Sequence, residues 1–374
     1  MQLYAGGAQA TSNLEKTLAR RLVIAQQMKT VGEFGVDDEL QKWLREHADL
    51  EAPDMDTLIQ NAREAFPQYQ HMAVMHKSAP TEEEVFSGLE KWSEIGGNGY
   101  THLAVIVRPT PGNFGLHACV VVGQRLPPFT LEALNDNPEM LYASHCVLCG
   151  KLQACRAAKQ GYVLGLQCTR CSRIYAMVAP GMDGRYRYVN EFLEGYKPPV
   201  KHLNDPSRRV ELMTIWQTVT AGCRYTTDIG SIQHSSKGGP AREIWQTARE
   251  TEKLGRGDCE DSAILLTDWL LARGFDARVA LGLLLGPGGG GHAWVVVRLD
   301  NTEYLLEPTE GANGAQRLLT ISEAGPRYAP LVLFDRNSFY IRPQPTRWDG
   351  SYWSESTWMA LDPRAKNTTQ TAGQ

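Results

Sequence analysis

The sequence predicts an α+β protein: a cysteine-headed apolar helix packed on an antiparallel sheet, with a four-cysteine ribbon and a small N-terminal α+β domain ahead of it. Three observations predict this. Cys259 opens a run whose apolar residues recur at Ala263, Leu266, Trp269 and Leu270, the spacing of one helix face. Apolar runs of strand length follow at 277–285, 292–299 and 303–306, with a turn at Asp300-Asn301. Two C-x-x-C pairs, Cys146/Cys149 and Cys168/Cys171, lie upstream.

At 374 residues the chain exceeds one typical core. It divides into an α+β domain of unknown role at 1–140, a ribbon at 141–180, a domain holding the cysteine helix at 200–345, and an aromatic-rich extension with a disordered tail at 346–374. Hydrophobic content of 42% and charged content of 21% suit a soluble globular protein. A net charge of −4 argues against a polyanion binder, so nucleic acid is a poor partner. No run has the length of a membrane span, and the opening residues lack a basic region followed by an apolar one. The expectation is therefore a cytoplasmic chain with no membrane contact.

In order, a helix is expected over 14–28 with Leu18, Leu22 and Ala25 on one face, after a loose first dozen residues. Helices follow at 37–47 and 55–65, with Asp37 capping the first and Asp54 or Asp56 the second. A strand at 71–76 precedes a helix capped by Thr81, with Glu82, Glu83 and Glu84 in its first turn, where the helix dipole favours acids. Strands at 101–108 and 116–122 complete the domain. Its histidines, His71, His76, His102 and His117, are scattered and read as structural or exposed.

In the ribbon, two thiolates three apart on a tight turn share an ion, and two such turns complete the tetrahedron that zinc accepts. The pairs are separated by residues 150–167, a zinc-ribbon spacing. With Cys146, Cys149, Cys168 and Cys171 all binding, the zinc has no open position and is structural. Cys155 and His145 are left over. Lys151, Arg156, Lys159, Arg170 and Arg173 are the pattern of a solvated face, with nucleic-acid binding the lesser reading.

Further on, Asp205-Pro206-Ser207 is placed to cap a helix to about 221 with Leu212, Ile215, Trp216 and Val219 buried. A short strand at 224–226 and a glycine-rich loop at 230–239 lead to Trp245. After the cysteine helix, Gly274 is a fitting left-handed cap. The stretch 287–291 reads as a mobile loop and His292 as the opening of the next strand. A strand pair is expected over 326–341. The aromatics at 347–358 suit packing better than a substrate groove.

A thiol attacks only as thiolate and needs a base held in a fixed orientation. Neighbouring antiparallel strands can bring His292 beside Glu307, which would orient the imidazole while the other ring nitrogen takes the Cys259 proton. The helix N-terminus would favour the thiolate.

The ordered segments W-Q-T-A-R-E-T, G-D-C-E-D-S-A, H-A-W-V and L-E-P-T resemble those of the transglutaminase-like superfamily, whose bacterial members show W-x-x-P-x-E-T, G-D-C-E-D, H-A-W and D-P-T. The likeness spans 210–319. Ala248 stands where proline is usual, and Glu307 where aspartate is, so the carboxylate sits one methylene further out. The resemblance implies a papain-like transglutaminase core with Cys259 as nucleophile, His292 as base and acid, and Glu307 as orienter. It also offers Trp245 or Gln246 as oxyanion support. It implies a cysteine hydrolase or acyl transferase forming a thioester with a protein or peptide amide, read first as a protease. Transglutaminase, glutamine deamidase and peptide:N-glycanase-like chemistry are the alternatives, and an inactive binding scaffold is the reading of another class. Asp258, Glu260 and Asp261 are expected to serve the helix start, with a calcium site, as in some bacterial relatives, as the lesser reading.

Overall fold

The computed structural model describes residues 3–27, 34–51, 54–92, 99–110, 114–146, 149, 152–160, 163–168, 170–198, 207–227, 243–287, 289–310, 317–324, 327–342 and 350–361. The glycine-rich stretch at 230–239 and the polar end at 367–374 lie outside them. The chain forms two compact units, one built mainly from Met1–Pro128 and the other mainly from Cys155–Gln374 together with Phe129–Met140 and His145–Lys151.

In the first unit α1 (Leu3–Gln27) begins well before the expected residue 14, while β1 (Gly35–Val36) leads into α2 (Asp38–His47) and α3 (Met55–Ala65). Asp37 and Asp54 accept from the backbone N–H of Leu40 and Thr57, as N-caps do. Strand β2 (Tyr69–Ala79), α4 (Glu82–Glu90), β3 (His102–Pro109) and β4 (Leu116–Arg125) complete a four-stranded sheet in the order β1-β3-β4-β2. Alternating residues of β3 and β4 go to separate clusters. Val105 and Val120 meet Leu18, Leu22 and Leu89, whereas Ile106 and Val121 meet Leu40, Leu44 and Leu58.

The second unit opens with α5 (Leu131–Asp136). Of β5 (Leu141–His145) and β6 (Leu152–Gln160), residues 141–144 and 152–154 belong to the first unit, whereas β7 (Val163–Cys168), β8 (Ile174–Pro180) and β9 (Tyr186–Tyr188) lie in the second. Antiparallel pairing of β7 with β8 carries the Cys168/Cys171 turn, and β7 pairs on its other side with the 155–160 part of β6. Helix α6 (Arg208–Gly222), β10 (Arg224–Tyr225), α7 (Ala248–Leu254) and β11 (Arg256–Gly257) lead to α8 (Cys259–Ala272). A seven-stranded antiparallel sheet follows. It contains β12 (Asp276–Leu284), β13 (Gly290–Leu299), β14 (Thr302–Leu306), β15 (Leu319–Thr320), β16 (Tyr328–Phe334), β17 (Phe339–Ile341) and β18 (Met359–Leu361), in the order β15-β14-β13-β12-β16-β17-β18.

One face of that sheet, with Val279, Leu281, Ala293, Val295 and Leu306, packs on Ile264, Leu266 and Trp269 of α8. Each large aliphatic side chain buried in this way is worth about 1.5–3 kcal/mol. The other face, with Ala280, Trp294, Val296 and Leu333, is covered by Tyr352 and Trp358, so these C-terminal aromatics pack. Asp300 and Asn301 both have positive φ, as a two-residue hairpin turn requires. The expected loop at 287–291 is corrected in part. Gly290 and Gly291 belong to β13 and pair with Leu284 and Leu283, because the backbone ladder extends through residues that carry no side chain.

Candidate active site

Cys259 is the first residue of α8, and its position is fixed by a cap built from its neighbours. Asp261 folds back over the helix start, taking the N–H of Asp258 at 3.3 Å and both the N–H and the side-chain amide of Gln246 at 2.8 Å. Gly257 is needed there, because a Cβ on it would lie 2.6 Å from the Cβ of Asp261. The sulfur donates to Glu260 Oε2 at 3.2 Å and faces the backbone N–H of Ala293. That contact is open to it because β14 pairs with β13 only from Val295 onward, leaving the start of β13 without a β14 partner.

His292 precedes Ala293 on the same strand. Its Nε2 lies 2.7 Å from Glu307 Oε2, just past the end of β14. With Nε2 carrying the proton, Nδ1 is the basic nitrogen. Thr309 donates to Glu307 Oε1 through both its N–H (3.1 Å) and its hydroxyl (2.6 Å), and the Tyr328 hydroxyl reaches Oε2 at 3.3 Å. The Trp216 indole N–H holds the Glu307 carbonyl at 3.1 Å. The longer acid is therefore held at both oxygens and at its backbone. The imidazole is also flanked by Trp294 and Tyr328, with ring centroids 6.2 and 6.5 Å away.

Three expectations need correction. The thiol is not eased toward thiolate: burial, followed by the Glu260 and Asp258 carboxylates, pushes it well above the ordinary cysteine value. Burial, followed by the neighbouring Asp258 and Asp261 carboxylates, likewise pushes the Glu260 carboxyl well above the usual carboxylate range. Trp245 is a core residue 2% exposed, with ring centroids of Phe192 and Phe334 at 5.6 and 6.1 Å, and it does not line an oxyanion pocket. Gln246 spends its side-chain N–H on Asp261, so it too serves the helix start.

The sequence reading missed Tyr225. Strand β10 runs parallel to β11 with Tyr225 opposite Gly257, beside the helix start, and the side chain is 51% exposed. Burial of its hydroxyl end, then the negative groups at Cys259, Asp258, Glu260 and Glu307, push the phenol up to about 12, so it is a hydrogen-bond donor at neutral pH. Its only sequence signal was a tyrosine in a two-residue strand.

Sulfurs of Cys146, Cys149, Cys168 and Cys171 lie within 4.8 Å of one another, with Cys146 and Cys171 3.7 Å apart. Four thiols so gathered could bind a metal such as zinc. This is the one such group of three or more ligand atoms among the described residues, so Asp258, Glu260 and Asp261 do not form another. Asp258 Oδ1 and Glu260 Oε1 are nevertheless buried without a partner among the described residues.

A thiol heading a helix packed on an antiparallel sheet, with histidine and acid on neighbouring strands, is the arrangement expected from the resemblance to the transglutaminase-like superfamily. Residues 243–352 match the family model described as the CEP76 peptidase-like domain. Legionella pneumophila LapG is similar in structure. Its EGTA-treated form aligns at 18% identity over 41% of this chain and 83% of its own, with a TM-score of 0.30. Its calcium-bound form covers 45% and 93% at the same identity and TM-score. A cysteine-protease candidate from Cytophaga hutchinsonii aligns at 12% identity over 63% of this chain and 75% of its own, with a TM-score of 0.23. No curated protein matches the chain.

Proposed function

We propose that this chain is a cysteine-dependent hydrolase of protein or peptide amides, with Cys259 as nucleophile, His292 as base and acid, and Glu307 as orienter. The observation that carries it is the 2.7 Å bond from His292 Nε2 to a Glu307 carboxylate clamped by Thr309, one residue from the Ala293 N–H that faces the sulfur. His292 Nδ1 takes the thiol proton as the sulfur bonds to the amide carbon. The N–H groups at the start of α8 face the charge that develops on the carbonyl oxygen. The tetrahedral species breaks its C–N bond, and His292 returns the proton to the departing amine. Water, deprotonated by His292, then cleaves the thioester and frees the acid.

One observation favours a second reading, an inactive binding scaffold: a buried thiol beside two carboxylates is what a retired site would keep. Mass spectrometry of a proteome incubated with the wild type and with Cys259→Ala separates the two. New peptide termini from the wild type alone are expected. Deamidated glutamines or isopeptides instead would mean that the thioester is spent in transglutaminase-type or other amidase chemistry, and identical proteomes would leave only the scaffold.

Zinc held by Cys146, Cys149, Cys168 and Cys171 would be structural. Asp258 and Glu260 offer hard oxygen donors of the kind calcium prefers, and these two residues would hold it.

A further inference from the structure

The face of the seven-stranded sheet that carries His292 holds a second polar cluster. Arg298 stands six residues along β13, about 20 Å away at the rise of a strand. Arg278 lies diagonally across from it on β12, where Asp276 pairs with Arg298 and Arg278 with Val296. Both arginines line a cavity of about 460 Å³ with Tyr340, Trp353, Ser354 and Glu355, a volume within the range of small-ligand sites.

The two arginines differ in how their charge is met. Arg298 gives Nε and Nη2 to Asp276 Oδ2 at 2.9 and 2.6 Å, while Asp276 Oδ1 takes the Trp353 indole N–H. Among the described residues no carboxylate forms an ion pair with Arg278, while Asp276 and Asp335 act on it at longer range. Its Nη1 donates to the Tyr352 carbonyl at 2.7 Å, and its Nε is buried without a partner among the described residues. Rings of Tyr340 and Trp353 lie 4.0 and 4.7 Å from its guanidinium carbon. The unspent donors therefore lie along the edge of a fork already stacked on aromatics, the geometry that a carboxylate accepts. Glu355, exposed at the rim, opposes a multiply charged anion such as phosphate.

We infer that this cavity binds a single carboxylate carried by a peptide, with Arg278 as its principal donor. Naming a peptide as the carrier rests on the function proposed above; the carboxylate follows from the arginine alone. The test is equilibrium binding to the full chain carrying Cys259→Ser, so that nothing depends on turnover. The probes are acetyl-Gly-Gly-Glu-Gly-Gly-amide, its Gln counterpart, and acetyl-pentaglycine as free acid and as amide. The site takes a side-chain carboxylate if the Glu peptide binds roughly tenfold tighter than the Gln peptide, the order a charge-assisted bond provides. It takes a chain terminus if the preference appears only between acid and amide. Arg278→Gln should abolish the preference. Should that variant fold poorly, Arg278→Lys keeps the charge but loses the fork and should cut the preference severalfold. In the unsubstituted pocket, sodium acetate should displace the favoured peptide. Equal binding of all four peptides, a preference that survives Arg278→Gln, or displacement by inorganic phosphate in place of acetate would overturn the inference.

Discussion

Glu307 is the residue on which the proposed chemistry turns most sharply, because it fixes which nitrogen of His292 carries the proton. If that assignment is right, Glu307→Gln should lower kcat by roughly two to four orders of magnitude with little change in KM, as expected when an orienting carboxylate is lost. Glu307→Asp, one methylene shorter, should recover part of the rate only if Thr309 and Tyr328 can follow it. Steady-state kinetics on a cleaved peptide check both. Alkylation gives a second prediction at this scale. Partly exposed Cys259 should be labelled before Cys119, which is fully buried and whose thiol burial pushes up to about 12. Peptide mapping after limited iodoacetamide treatment reads the order, and labelling of Cys119 first would contradict it.

Helix α8 is held at its middle as well as at its head. Asp268 is completely buried and accepts from the backbone N–H of Gly195 at 2.9 Å, from that of Tyr196 at 2.8 Å and from Arg336 Nη2 at 2.7 Å. Asp268→Ala removes the carboxylate from the Arg336 charge and from two backbone amides, and should cost about 3–5 kcal/mol, seen as a lower urea midpoint. At this scale much of the fold was legible in the sequence. The helix spacing after Cys259, the Asp37, Asp54 and Thr81 caps and the turn at Asp300-Asn301 are local chemistry, so local reading found them. The start of β13 was not, because its glycines read as loop and only pairing with Leu283 and Leu284 makes them strand. The order of motifs pointed to Cys259, His292 and Glu307; the structure pairs His292 with Glu307 and sets the Cys259 sulfur against the N–H of Ala293, the next residue along the strand. The upward push on the thiol was invisible, since it arises first from burial of the sulfur itself and then from the Glu260 and Asp258 carboxylates that the fold gathers around it. Tyr225 and Arg278 escaped for a similar reason: register across strands, not spacing along the chain, gives each its neighbours.

For the whole molecule, metal content is the open quantity most simply measured. Elemental analysis should find one zinc per chain, lost in a Cys168→Ser/Cys171→Ser variant, if the four cysteines bind as proposed. Calcium added to EGTA-treated protein should raise Tm, and Glu260→Gln should abolish that rise if Asp258 and Glu260 hold the ion. Absence of either signal would remove the corresponding ion from the account.

The strand leaving the cysteine cluster, β8, ends at Pro180, whose carbonyl accepts the N–H of Trp245 at 2.9 Å, while Gly181 bridges to the same residue. Trp245 immediately precedes Gln246, which Asp261 ties to the head of α8. Three links thus run from the end of β8 to the head of α8 through backbone and buried amide: Pro180 to Trp245, Trp245 to Gln246, and Gln246 to Asp261. Chelation that loosens the sulfur cage would be transmitted as slack at Cys259, so a chelator should silence turnover before the peptidase core itself melts.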